Sequence, residues 1–196
     1  MTSLTKKTDK ELQSAAYLKQ QFKKICIEGL GKGRIELIGS KYTFGYESEV
    51  NRQKNVFNLA LDFPIIGETN VSLSLNSKDV RSKIIHSELG AFLREKIGER
   101  SDREQLVKTT EAFFIFASDF IQHASSKIYP TNFIASNLDD HFILSRNSSQ
   151  YLFVVDNFAD NQSFFERSVF KIFLKSSSLS DPIMTLFLVP QSCQSK

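Results

Sequence analysis

SDREQLVKTTEAFFIFASDFIQHASSKIYP, residues 101–130, is the stretch on which the fold turns. Its middle, Phe113 to Ala117, has the composition of a buried strand. Upstream, Ser101-Asp102-Arg103-Glu104 reads as a capping box, in which the Ser hydroxyl and the Glu carboxylate satisfy otherwise unpaired backbone N–H groups. Leu106, Phe113, Ala117, Phe120 and Ala124 then fall on one face at helical spacing. The pattern predicts a largely buried helix to about Lys127, closed by Pro130.

Working outward, Asn76-Ser77 are N-cap residues for a second helix, with Ile85, Leu89, Phe92, Leu93 and Ile97 on its apolar side and Gly98 as its stop. On both sides of this helical pair the period changes to two. Before it, Ile35 and Leu37 alternate with polar residues, as do Tyr42, Phe44, Tyr46, Ser48 and Val50. Phe57, Leu59, Leu61 and Phe63 continue the pattern, and Val71, Leu73 and Leu75 resume it after a turn at Pro64 to Glu68. After the pair, strand-like runs at 133–136, 141–145, 150–156, 168–175 and 183–189 are separated by Asn-, Asp- and Ser-rich turns. Near the start, Leu12, Ala15, Leu18, Phe22, Ile25 and Cys26 recur at helical spacing over 9–28, and Gly29 follows as a helix stop.

The expected fold is α+β: two antiparallel meander blocks of about four strands each flank a central helical pair, with an N-terminal amphipathic helix. Short connections favour antiparallel pairing, with one face of each block buried and a Ser-, Thr-, Asn- and Glu-rich face in water. The 196 residues suit a single domain. Its pseudo-halves would be 9–98 and 101–190, and 1–8 and 190–196 are expected to be flexible tails. No residue-level similarity between the halves supports a duplication.

Composition is that of a soluble globular chain, 41% hydrophobic and 24% charged, and its 18 Phe with no Trp point to a Phe-packed core. The polar start, Met1 to Glu11, has no apolar signal-like core, and no run approaches the length of a membrane span, so a cytoplasmic protein is expected. In that setting the two cysteines, Cys26 and Cys193, are expected to be unpaired, and their spacing makes no zinc site.

Candidate chemistry is sparse. Gly29-Leu30-Gly31-Lys32-Gly33 could pass for a phosphate loop. Such loops follow a strand and precede a helix, whereas the order here is helix, glycines, strand, so a helix cap and a tight turn are expected instead. The three histidines, His86, His123 and His141, are scattered, and no metal site or cofactor is expected. Asp119 and His123 stand at i, i+4 and suit a charge pair. The turn Asp139-Asp140-His141 carries an acid beside a base, and His86 lies on the apolar side of its helix. No nucleophile elbow is present.

Formal charge is +3, but residues 1–36 carry eight basic against four acidic side chains. Lys19, Lys23, Lys24, Lys32 and Arg34 are therefore the candidate binding residues, for a phosphate-bearing partner. With no coherent catalytic set, the expected function is a non-catalytic binding or adaptor protein that holds a protein segment or an apolar small molecule. The alternatives are a nucleic-acid-associated protein using the basic N-terminal helix, and an enzyme whose site assembles only in three dimensions.

Overall fold

A computed structural model describes residues 15–37, 40–64, 67–75, 103–138, 140–158, 163–176 and 181–194. In chain order it has α1 (Ala15–Phe22), β1 (Gly29–Leu37), β2 (Ser40–Asn51), β3 (Val56–Phe63), β4 (Gly67–Ser74), α2 (Arg103–Ser125), β5 (Ile134–Leu138), β6 (His141–Asn147), β7 (Tyr151–Phe158), β8 (Arg167–Leu174) and β9 (Met184–Cys193). β2, β3, β4, β6, β7 and β8 fall on the period-two runs, whereas β1 starts six residues before Ile35 and β9 runs past 189 to Cys193. The other helix expected in the central pair, 76–98, and with it His86, lies outside the described residues. Of the segments expected as tails, 1–8 lies outside them too, and Pro190 to Cys193 belong to β9.

The two-block fold is not what forms. All nine strands make one antiparallel sheet in the order β4-β3-β2-β1-β9-β8-β7-β6-β5. Two meanders are present, but β1 pairs with β9 along its whole length, from Gly29↔Cys193 to Leu37↔Met184, with a register irregularity at Leu30/Gly31. A strand at the edge of a block presents a row of unpaired backbone groups, and joining the two blocks at β1 and β9 satisfies both rows at once. The blocks are joined rather than separated, and among the described residues two helices, α1 and α2, accompany the sheet.

Both helices lie against one face. On α2, the Phe116 ring stacks on Phe153 of β7 at 4.5 Å and 7°, and Phe120 meets Phe170 of β8 edge-on at 5.5 Å. Two residues from Phe116, the Ser118 hydroxyl donates to the backbone carbonyl of Ser74 in β4 at 2.9 Å. In strand order β4 and β7 stand six spacings apart, ~29 Å in a flat sheet, whereas one helix with its side chains is only ~10–12 Å across. The sheet therefore curls round α2. From α1, Phe22 closes the packing against Phe120 and Tyr129. No described helix is long and apolar enough to cross a membrane.

β7 shows how the sequence builds this inner face: Tyr151, Phe153, Val155 and Asn157 are buried, and the residues between them are half-exposed. Asn157, the buried polar member, is satisfied: its amide donates to the Phe142 carbonyl at 3.2 Å and its oxygen accepts from Ser168 at 2.7 Å.

The glycine-rich segment is neither a phosphate loop nor a tight turn but the first half of β1, a central strand. Gly31 faces Tyr46 and Gly33 faces Phe44 across the β1–β2 ladder. A Cβ on Gly31 would fall 2.5 Å from the Tyr46 ring, and one on Gly33 would overlap the ring of Phe44. The missing side chains are what let these two aromatic rings lie flat over the strand. Gly33→Ala is thus expected to displace Phe44, which is buried against Phe63. The expected loss is about 1–3 kcal/mol, the range for overpacking a core, measured by urea unfolding.

Burial also pushes the Tyr46 hydroxyl pKa from its ordinary 10.0 up to about 12. Below pH 10 both folded and unfolded chains keep this proton, and the ring's contribution to stability is complete. Between pH 10 and about 12 the unfolded chain ionises first, so unfolding midpoints should fall as pH rises through that window, with tyrosinate absorbance lagging for this ring.

Contrary to the expectation of unpaired thiols, Cys26 and Cys193 form a disulfide, with Cα atoms 5.7 Å apart. Pairing β1 with β9 brings them together, because Cys26 precedes β1 and Cys193 ends β9. Beside the bond, the Gln194 amide donates to the Glu28 carbonyl at 2.8 Å.

Candidate functional site

The two halves of the sheet differ on the face away from the helices. Over β2 to β4 that face is polar and internally bonded: the Ser72 hydroxyl donates to Asn58 at 2.9 Å, and the Asn58 amide donates to Glu49 at 2.8 Å. Over the other half the registers align Ser136, Ile143, Asp156, Val169, Phe187 and Arg34 in one row across β5 to β1. A neighbouring row runs Ile134, Ser145, Val154, Lys171 and Thr185. The first row places Ile143, Val169 and Phe187 among Ser136, Asp156 and Arg34, and the second places Ile134 and Val154 among Ser145, Lys171 and Thr185. Val169 is buried there without joining the main core cluster, and Arg34 stacks its guanidinium on Phe187 at 4.2 Å.

At the margin of this surface stands β5, Ile-Ala-Ser-Asn-Leu, a sheet edge that pairs only with β6 among the described strands. Its outward residues Ile134 and Leu138 are 66% and 61% exposed, and none of its five side chains is charged. The opposite edge, β4, carries Glu68 and Asn70 outward instead. Charged side chains are the usual guard on an exposed edge, and β5 lacks them.

The basic residues singled out in the sequence do not form one surface. Lys32 and Arg34 project from the outer face of β1, where Arg34 also pairs with Glu36 at 3.0 Å. Lys19 is exposed on the last turn of α1. Lys23 and Lys24, just past that helix, do come together, in a recess with Arg52 and Lys127. The latter two carry no periodic signal in the sequence; Arg52 lies in the β2–β3 turn and Lys127 just past α2.

Asp119 and His123 form the expected i, i+4 contact, at 3.5 Å. Asp119 is in addition ion-paired to Arg146 and accepts from the Asn132 amide at 3.4 Å, so its carboxylate is committed to holding α2 on the sheet. The turn at 139–141 separates its acid and base. Asp139 lies outside the described residues, Asp140 is exposed, and His141 turns to Asp156 of β7, Nδ1 to Oδ1 at 2.9 Å, with its ring on Phe158. No nucleophile is hydrogen-bonded to this pair in the described residues. Nor do three or more His, Cys, Asp or Glu side chains converge among the described residues in a way that could hold a metal ion.

No protein-family model matches the chain, and no curated protein matches it.

Proposed function

We propose that the protein is a non-catalytic binding protein, and that it holds an extended protein segment added to the sheet alongside β5. The observation that carries this reading is the β5 edge: an uncharged strand, unpaired on its outer side among the described strands, with Ile134 and Leu138 exposed at its two ends. An added strand gains main-chain hydrogen bonds from such an edge, and the alternate side chains supply its specificity. Apolar residues on the same side of the incoming segment would meet Ile134 and Leu138. The interior supports a protein segment over a small apolar ligand, because the rings of Phe116, Phe120, Phe133 and Phe153 fill the space between α2 and the sheet. In this reading the state of the Cys26–Cys193 bond follows the compartment in which the protein acts, since such bonds persist only where conditions are oxidising.

The test is selection from a random-peptide display library against the intact protein, followed by amide hydrogen exchange with the enriched peptides. Peptides with alternating apolar residues that protect the alternate β5 amides facing away from β6 are expected, and Ile134→Lys with Leu138→Lys should remove their binding. Both residues are exposed, so the variant should keep the parent's unfolding midpoint. No enrichment over the blank surface, or binding indifferent to the two substitutions, would overturn the proposal.

A further inference from the structure

A recess of about 100 Å³ lies where the ends of both helices meet the seam of the sheet. Lys23, Lys24, Arg52 and Lys127 line it, with Glu28 as the one carboxylate, and Ser125, Ser163 and Gln194 add neutral polar groups. Glu28 is already spoken for. Its side chain is ion-paired to Arg52 at 2.7 Å, and one of its oxygens accepts the Val50 amide at 3.2 Å. The remaining charge in the recess is positive, and Lys23 and Lys24 have no ion-pair partner among the described residues.

Lysines at helix C-termini often serve only to cap the last carbonyls. Here backbone amides do that work. Lys24 and Ile25 donate to the carbonyls of Gln21 and Phe22 at the end of α1. At the end of α2, Ser126, Lys127 and Ile128 donate to Gln122, Ala124 and His123. The side chains of Lys23 and Lys24 are released from that role.

The walls are fixed to one another. The Phe165 amide donates to the Lys24 carbonyl at 3.0 Å, the Gln194 amide donates to the Glu28 carbonyl at 2.8 Å, and the Cys26–Cys193 disulfide ties the same two segments. Lys127 takes the left-handed conformation, with φ 55°, at the position after α2 where glycine is the usual residue. A recess built from five separate segments, cross-tied and lined by the unpaired Lys23 and Lys24, needs little reorganisation to take a ligand.

We propose that this recess binds a phosphate group, presented by a small soluble anion or by a lipid headgroup. The ammonium groups of Lys23 and Lys24 would supply the charge-assisted hydrogen bonds, and Ser163 a neutral donor. Lys32 and Arg34, on the outer face of β1, take no part.

The test uses two probes on the full chain: pyrophosphate in solution, followed by amide chemical shifts, and phosphatidylcholine vesicles with and without a phosphoinositide, followed by co-sedimentation. Saturable shifts centred on Lys24, Ser125 and Gln194 would support a soluble anion; sedimentation only with phosphoinositide vesicles would support the lipid headgroup. In either case Lys23→Ala with Lys24→Ala should weaken binding at least about tenfold, because hydrogen bonds to charged groups contribute more than 1.4 kcal/mol each. Lys32→Ala with Arg34→Ala should leave it unchanged. Three results would overturn the proposal: no binding to either probe, binding unaffected by the Lys23 and Lys24 changes, or shifts spread evenly over all exposed lysines.

Discussion

Phe116→Ala is expected to lower the unfolding free energy by about 3–5 kcal/mol, the range for truncating a buried Phe where the surroundings cannot collapse into the space. Phe116 is 2% exposed and touches three other rings: Phe153 in parallel stacking, Phe120 one turn along α2, and Phe133 just before β5. The stacked pair adds to the loss, since aromatic pairs contribute about 0.5–1.5 kcal/mol beyond the area they bury. The neighbouring Ile115 is 37% exposed, and Ile115→Ala should stay within about 0.5–1 kcal/mol of the parent. Urea unfolding of the two variants measures the contrast. Equal losses would mean that α2 is not seated on the sheet by this face.

A second large effect is expected at the seam. The Cys26–Cys193 bond closes a loop spanning 167 residues, and cross-linking so long a loop restricts the unfolded chain strongly. Chain-entropy estimates for loops of this size approach ~5 kcal/mol, and losses measured on removing native disulfides run at about 2–5 kcal/mol. Replacing both cysteines by serine should cost an amount in that range. A reductant should bring the parent's unfolding midpoint down to that of the variant and leave the variant where it is. A parent midpoint indifferent to the reductant would mean that the bond does not form or adds nothing.

The elements themselves were legible. The one-sided Phe113, Ala117, Phe120 and Ala124 identify α2 because the signal is local. The alternations from Tyr42 to Val50 and from Gln150 to Asp156 likewise mark β2 and β7 directly. What stayed hidden depends on distant partners. Ile35 and Leu37 advertise a strand, but nothing near them announces Leu186 and Met184 as neighbours, so the sheet reads as two blocks. Gly31 and Gly33 read as a turn because the reason for them, the rings of Tyr46 and Phe44, sits on the next strand. The disulfide escaped for the same cause: a separation of 167 residues carries no local signal. Of the five basic candidates, Lys23 and Lys24 line one recess. Their companions Arg52 and Lys127 are contributed by other segments, and only the fold assembles them.

The single continuous sheet, closed where the first strand meets the last, is tested most directly by interstrand nuclear Overhauser contacts between β1 and β9. The expected result is a ladder of contacts linking Gly33 with Leu188, Ile35 with Leu186 and Leu37 with Met184, and slow exchange of the amides along it. Contacts confined to β1–β2 on one side and β8–β9 on the other, with no cross-peaks between Ile35 and Leu186, would contradict it and return the chain to two separate blocks.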